Sequence, residues 1–290
     1  MFNGALSALV TPFRDGVVDE AALRELIEWQ IQEGIDGVFP CGSTGESATL
    51  THAEHEQVIK LAVQQARRRV PVLAGTGSNS TAEAIRLTAF AREIGADGAV
   101  LISPYYNKPT QEGIFKHYKM IAASVDLPLI VYNIPGRTAS NILPETFARL
   151  CEIKNIVGVK ESSGSMEQIS DIRRLCGDRL TVLCGDDSLT VPIMALGGKG
   201  AISVISNLMP RETHELVAAA LEGDFVRARE IHFRMLPLMR ALFVESNPIP
   251  VKQALAYMGK CSAELRMPLT PISPAGADRL RAAMKELRLV

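Results

Sequence analysis

No sign of charge dominates this sequence. Its formal net charge is −1, and it lacks the basic patch or stripe that nucleic-acid binding requires. The one local cluster, Arg67-Arg68-Arg69, ends a helical pattern, where cations suit the helix C-terminus. Cysteines are few, odd in number and far apart: Cys41, Cys151, Cys176, Cys184 and Cys261. No pair has the close spacing of a zinc or redox motif, and a chain of 290 residues needs no disulfide staples. They read as reduced thiols in a cytoplasmic protein. No apolar run approaches the roughly 20 residues of a membrane span. The opening stretch MFNGALSALVTPF has no basic n-region and reads as a first strand rather than a signal peptide. A dinucleotide-binding turn is missing as well. The first strand runs into Thr11-Pro12-Phe13, and Gly75-Thr76-Gly77 is only a fragment of the glycine pattern. His52 and His55 have no third ligand beside them, and Asp186-Asp187 suits capping or loop orientation better than a hard cation. The sequence thus calls for no metal, flavin or nicotinamide cofactor.

What is present is a rhythm. Short runs rich in Val, Ile and Leu recur through the chain, each followed by a helical pattern. The runs are Ala5 to Val10, Gly37 to Pro40, Val70 to Ala74, Ala99 to Ile102, Leu129 to Tyr132, Ile156 to Lys160, Thr181 to Cys184 and Ala201 to Ile205. They lack clean alternation, as expected of parallel strands covered by helices. Helix starts are marked by capping-box patterns at Thr51 with Glu54, Ser80 with Glu83 and Ser165 with Gln168. Asp19 suits an N-cap, and Pro144 and Pro274 suit first-turn positions. Eight strand-helix units fit a closed α/β barrel, the (β/α)8 or TIM fold, better than an open doubly wound sheet. The expected division is a catalytic barrel over residues 1–225 and a C-terminal helical region over 226–290, broken at Asn247-Pro248-Ile249-Pro250.

Active sites of such barrels lie at the C-terminal ends of the strands. Lys160 closes the run IVGV, so its stem is expected inside the barrel. A desolvated lysine is partly neutral and attacks carbonyls; the alternative is a lysine paired with Glu161. Tyr132 ends the neighbouring strand and suits proton transfer, or simple packing with its hydroxyl satisfied. Ser43 and Thr44 lie in a glycine-flanked turn whose hydroxyls and amides suit a carboxylate. Arg137 follows Pro135-Gly136 on a loop and suits a bidentate grip on a substrate carboxylate, or a surface or interface role. Pro104-Tyr105-Tyr106-Asn107 suits a pocket lining or a subunit contact.

The segments ALVTPF, GSTGESATL, SPYYNKPTQEG, YNIPGRT, NIVGVKE, CGDDSLT and FVESNPIPVK together resemble the family of bacterial 4-hydroxy-tetrahydrodipicolinate synthases, within the pyruvate-dependent class I aldolases. The resemblance spans nearly the whole chain. It implies a cofactor-free lyase that holds pyruvate as a Schiff base on Lys160, with Tyr132 as central proton donor and acceptor. It makes Thr44 a pyruvate-binding member of the proton relay and Ser43 its neighbouring hydroxyl, where these synthases usually carry threonine. Tyr106 matches a relay tyrosine that crosses a dimer interface. Arg137 matches the aldehyde substrate's carboxylate receptor, Ile202 a position whose backbone carbonyl contacts the keto acid, and Gly185 joins the substrate-binding set. The implied reaction condenses pyruvate with L-aspartate 4-semialdehyde in the diaminopimelate and lysine pathway. Ala48, His52, His55, Asn79, Glu83 and Tyr105 match an allosteric lysine pocket, and the implied assembly is a homotetramer of two tight dimers. G-S-T-G-E also occurs in N-acetylneuraminate lyases and other keto-acid aldolases. The alternative is therefore a paralogous pyruvate-dependent aldolase or keto-acid dehydratase; Arg137 in G-R-T argues for the synthase.

Overall fold

The computed structural model describes residues 2–290. Eight parallel strands form one sheet: β1 (Gly4–Ala8), β2 (Gly37–Phe39), β3 (Leu73–Gly75), β4 (Gly98–Ile102), β5 (Leu129–Asn133), β6 (Ile156–Glu161), β7 (Thr181–Cys184) and β8 (Gly200–Ser203). In space the order is β2-β1-β8-β7-β6-β5-β4-β3. A parallel bridge between Val38 and Val72 links the two outer strands, so the sheet is a nearly closed barrel. Helices cover its outside, as the strand-helix rhythm predicts.

Nearly every strand residue is buried, and the period of two decides on which side. Leu6, Ala8, Phe39, Leu73, Val100, Ile130, Tyr132, Leu183 and Ile202 fill the barrel interior. Their neighbours Ala5, Val38, Ala99, Leu129, Val131, Val159 and Val182 face the helices. Each fully buried Leu, Ile or Val contributes about 1.5–3 kcal/mol, so both faces of every strand favour closure.

Three strand boundaries depart from the sequence pattern by two residues or more, each for a hydrogen-bonding reason. The first run leaves the ladder at Ala8, and the Val10 amide donates to Asn207 Oδ1 at 3.2 Å. The third begins at Leu73 rather than Val70, because Pro71 has no N–H to contribute. The eighth stops at Ser203, where the amides of Val204 and Ile205 turn to the Asp187 carboxylate at 3.0 and 2.8 Å. Thr51 and Glu54 form a reciprocal capping box, and Asp19 accepts from the Ala22 amide. The Ser80–Glu83 box does not form: Ser80 makes no side-chain cap bond, and Glu83 is engaged by Ser78 and His52. At Ser165 only half the box exists. The Gln168 backbone amide donates to Ser165 Oγ, but the Gln168 side chain bonds Asn141 instead of reaching back to the cap.

The C-terminal region consists of helices Phe225–Ala241, Ile249–Tyr257 and Pro274–Glu286. The connection between the last two reaches back over the barrel mouth. Lys252 and Glu46 form an ion pair at 2.6 Å, with side chains 0% and 1% exposed. Lys252 Nζ also donates to the Glu264 carbonyl, and the Arg266 amide donates to the second Glu46 oxygen. The Arg266 guanidinium then bonds Glu54, Thr49 and Gly16. The extension is thus fastened to the loop that follows β2.

Candidate active site

Lys160 sits near the end of β6 in register with Tyr132 of β5 and Leu183 of β7. Its side chain enters the barrel, and Nζ stands 4.2 Å from the centroid of the Tyr132 ring and 4.9 Å from that of Phe39. Glu161 does not pair with it. Adjacent strand residues face opposite sides, and Glu161 is held outside the barrel by Asn133 Nδ2 and by the Ser163 amide. With no carboxylate in contact, burial brings the Lys160 amine down to about 7; the charge of Asp187 opposes this more weakly. About half of such an amine is unprotonated at neutral pH. It is a nucleophile ready for a carbonyl.

Tyr132 lies beside it with its phenol pushed up to about 12 by burial, against the pull of Arg137 and of the Ser162 and Ser43 hydroxyls. At neutral pH it keeps its proton. Ser43 and Tyr132 line one small cavity with Phe39, Gly42, Gly77 and Ile102. The loop carrying Ser43 and Thr44 needs its glycines. A Cβ on Gly42 would stand 2.5 Å from the Phe39 ring, and one on Gly75 of the neighbouring β3 would stand 2.1 Å from the Cys41 carbonyl of the loop. Thr11 Oγ1 donates to the Gly45 carbonyl, and Glu46 adopts a left-handed conformation that its bond to Lys252 holds.

Thr44 is buried, and its hydroxyl oxygen accepts from Asn247 Nδ2 at 2.9 Å. Arg137, in the short helix Pro135–Thr138, donates to the backbone carbonyl of the same Asn247 at 3.1 Å. One residue of the C-terminal region therefore holds two residues that the sequence places on separate loops. Asn247 is not singled out by the sequence; only its place in N-P-I-P hints at a special backbone. Ile202 lies in the barrel interior on β8, and Gly185 follows β7 directly against Lys160. Tyr106 is not part of this cluster. It is 89% exposed at the tip of its loop, with φ of 72°, so within a single chain it reaches no site residue.

The other predicted group gathers beside the mouth. His52 and Glu83 pair at 2.7 Å, Ser78 also bonds Glu83, and Asn79 donates to the Tyr105 carbonyl at 3.2 Å. Burial and the nearby Glu83 charge push the Tyr105 phenol up. Ala48 is exposed in the turn Ser47–Thr49. His55 differs from His52: it is buried and bonds the Gly75 carbonyl at 2.7 Å, and burial lowers its pKa. Its ring ties the helix to β3.

Among the described residues, no group of three or more His, Cys, Asp or Glu is placed to hold a metal ion. Among the same residues, no helix is long and apolar enough to cross a membrane.

Comparison with known proteins shows the family. The family model described as "Dihydrodipicolinate synthetase family" matches residues 1–287. The 4-hydroxy-tetrahydrodipicolinate synthase of Citrifermentans bemidjiense is 56% identical over 290 residues, with both chains covered completely. The crystal structure of dihydrodipicolinate synthase from Aquifex aeolicus superposes with a TM-score of 0.98 at 53% identity, covering 99% of each chain. The enzyme from Cyanidioschyzon merolae with lysine bound superposes with a TM-score of 0.97 at 41% identity, covering 100% of this chain and 99% of the other. With a barrel, a buried unpaired lysine at a strand end and relatives matching over its whole length, the chain belongs to the dihydrodipicolinate synthetase family.

Proposed function

We propose that Lys160 carries the reaction of this enzyme, the condensation of pyruvate with L-aspartate 4-semialdehyde to 4-hydroxy-tetrahydrodipicolinate on the route to diaminopimelate and lysine. The observation that carries the proposal is the Lys160 amine itself: buried, unpaired and lowered to about 7. Its neutral form attacks the ketone carbon of pyruvate. Tyr132 protonates the departing oxygen, which leaves as water while the nitrogen lone pair forms the imine. A methyl proton then passes to the Tyr132 phenolate, which restores the phenol and leaves the enamine. The enamine carbon then bonds to the aldehyde carbon, and the aldehyde oxygen takes a proton from the relay. The substrate's amine adds to the imine carbon, and the bond to Lys160 breaks as its nitrogen regains a proton. Thr44 and Ser43 bind the pyruvate carboxylate and pass protons. Gly185 and the Ile202 carbonyl bound the keto acid, and Arg137 receives the aldehyde's carboxylate. No cofactor is needed, because the lysine supplies the electron sink.

Tyr106 acts in this reading only from a neighbouring subunit. Its exposure and its left-handed backbone suit a residue that reaches across an interface. The assembly proposed is a homotetramer of two tight dimers, with residues 1–225 as the catalytic barrel and 226–290 as the helical region. The cluster of Ala48, His52, His55, Asn79, Glu83 and Tyr105 is proposed to bind L-lysine as feedback inhibitor, with Glu83 meeting the amine. The lysine-bound relative supports that reading. The cytoplasm is the compartment proposed, in keeping with the five free cysteines.

The test is a coupled assay with pyruvate, L-aspartate 4-semialdehyde and a dihydrodipicolinate reductase. Turnover abolished by Lys160→Ala is the expected result. Folded protein that borohydride traps with pyruvate, yet that forms no product, would redirect the reading to another keto-acid aldolase.

A further inference from the structure

The Thr44 hydroxyl, which passes protons in the scheme above, is not free to turn. It is buried on the loop after β2, and its Oγ1 accepts from Asn247 Nδ2 at 2.9 Å. Among the described residues this is the hydroxyl's one hydrogen bond. A hydroxyl has one proton to give and two lone pairs. An N–H donor on one lone pair leaves the other lone pair and the proton for different partners. The donor itself is held firmly. Asn247 is 5% exposed and stands just before the helix Ile249–Tyr257. Lys252 of that helix pairs with Glu46, two residues beyond Thr44. The C-terminal region thus grips the β2 loop at two points, and one of them is the Thr44 side chain. The carboxamide gains little else from its position. Its Oδ1 is buried with no hydrogen-bond partner, a costly state for a polar atom.

We propose that Asn247 is a further positioning residue of the reaction, whose side-chain amide fixes the direction of the hydrogen bonds that Thr44 makes. The inference rests on Thr44 having the relay role proposed above. Nδ2 can only donate, so the Thr44 proton is never spent on Asn247 and stays available to the reacting groups. When Thr44 gives that proton to the next oxygen of the relay, its second lone pair takes one from the oxygen before it. One O–H bond breaks as another forms, and Thr44 ends as it began. While Oγ1 carries excess negative charge, the same amide donates to it, as an oxyanion donor does. A rotor set in advance needs no reorientation at the moment of transfer. The other contact of Asn247 does not involve its side chain. Arg137 donates to the backbone carbonyl, at 3.1 Å, and that carbonyl survives any substitution at the position. The side chain therefore bears on the proton relay, and the backbone on the receptor for the aldehyde's carboxylate.

The experiment measures kcat, both KM values and the melting temperature of the full-length enzyme in the coupled assay. The variants are Asn247→Ala, Asn247→Asp, Thr44→Val and the double change of Asn247→Ala with Thr44→Val. Asn247→Ala is expected to lower kcat about 3- to 10-fold, the worth of one orienting hydrogen bond. The KM for the aldehyde should be unchanged, and the melting temperature little changed, because the unpaired Oδ1 goes with the lost bond. In the Thr44→Val background the same change should cost nothing further in kcat, since no hydroxyl is left to orient. The carboxylate of Asn247→Asp only accepts and takes up the Thr44 proton, so its kcat should fall at least about 10-fold, below that of the alanine variant. A wild-type kcat in Asn247→Ala overturns the proposal. So do losses that add in the double variant, and so does an Asn247→Asp enzyme as fast as Asn247→Ala. Full turnover in Thr44→Val would instead remove the reading of Thr44 on which this one stands.

Discussion

Keeping Lys160 inside the barrel should destabilise the protein, and its removal should show by how much. The amine falls from 10.5 to about 7 on folding. Between these values the unfolded chain binds more protons than the folded one, so the wild-type protein gains stability as pH rises from about 7 towards 10.5. Below about 7 both states are protonated and the full cost of burying the charge is present. A tenfold change in proton affinity is worth about 1.36 kcal/mol, so at pH 7 the cost is about 4 kcal/mol, and at pH 9.5 it has shrunk to roughly 1–2 kcal/mol. Lys160→Met keeps the apolar stem and removes the titrating group. For 290 residues, an unfolding entropy of about 2.1 cal/mol/K per residue amounts to about 0.6 kcal/mol/K. The variant should therefore melt about 7 °C higher than the wild type at pH 7, and only about 2–3 °C higher at pH 9.5. Calorimetry of both proteins without pyruvate, across that range, measures the difference. A variant no more stable at pH 7, or a gain that does not shrink as pH rises, refutes the argument that folding lowers this amine, chiefly through burial and secondarily through the Arg137 charge. The same variant should have no synthase activity, which would make the site a case of stability given up for chemistry.

Two further outcomes are expected from the packing around the site. Lys252→Met leaves Glu46 buried without its partner and should cost about 3–5 kcal/mol, whereas the double change Glu46→Leu with Lys252→Met should recover much of that loss; denaturant titration of the two variants distinguishes them, and equal midpoints would contradict the pairing. Gly185→Ala places a methyl 2.1 Å from Ser162 Oγ and 3.0 Å from the Lys160 stem. Borohydride trapping with pyruvate should then run at least about 10-fold slower, with the melting temperature little changed because the neighbours are side chains able to swing away; an unaltered rate would mean the crowding does not reach the nucleophile.

Much of the fold was legible because its signals are local. Every expected strand is present, since an apolar run between helix-forming segments is stable in few ways other than a covered parallel strand. Boundaries slipped where a backbone amide found a distant acceptor, as Val204 and Ile205 did in Asp187. Ser80 and Glu83 had the right spacing for a capping box, but Glu83 was drawn to His52, 31 residues away. Lys160, Tyr132, Thr44, Ser43, Gly185 and Ile202 belong to strand ends, and all lie at one end of the barrel interior or its rim. The spacing of His52 and His55 suggested one shared face; burial separated them, with His55 tied to β3 and His52 left at the surface.

The strand-helix rhythm, the barrel that closes it and the position of a lysine at the end of an apolar run can all be read along the chain. These are matters of period and hydrophobicity, and each is complete within a few dozen residues. The surroundings of that lysine are set in three dimensions. Folding turned Glu161 away and brought Asn247 to Thr44 across 203 positions and Lys252 to Glu46 across 206. Contacts at such separations leave no periodic trace along the chain. They arise when barrel closure carries the loops of different strands to one rim and the C-terminal region folds back over it, and the dry space so enclosed is what lowers the amine of Lys160.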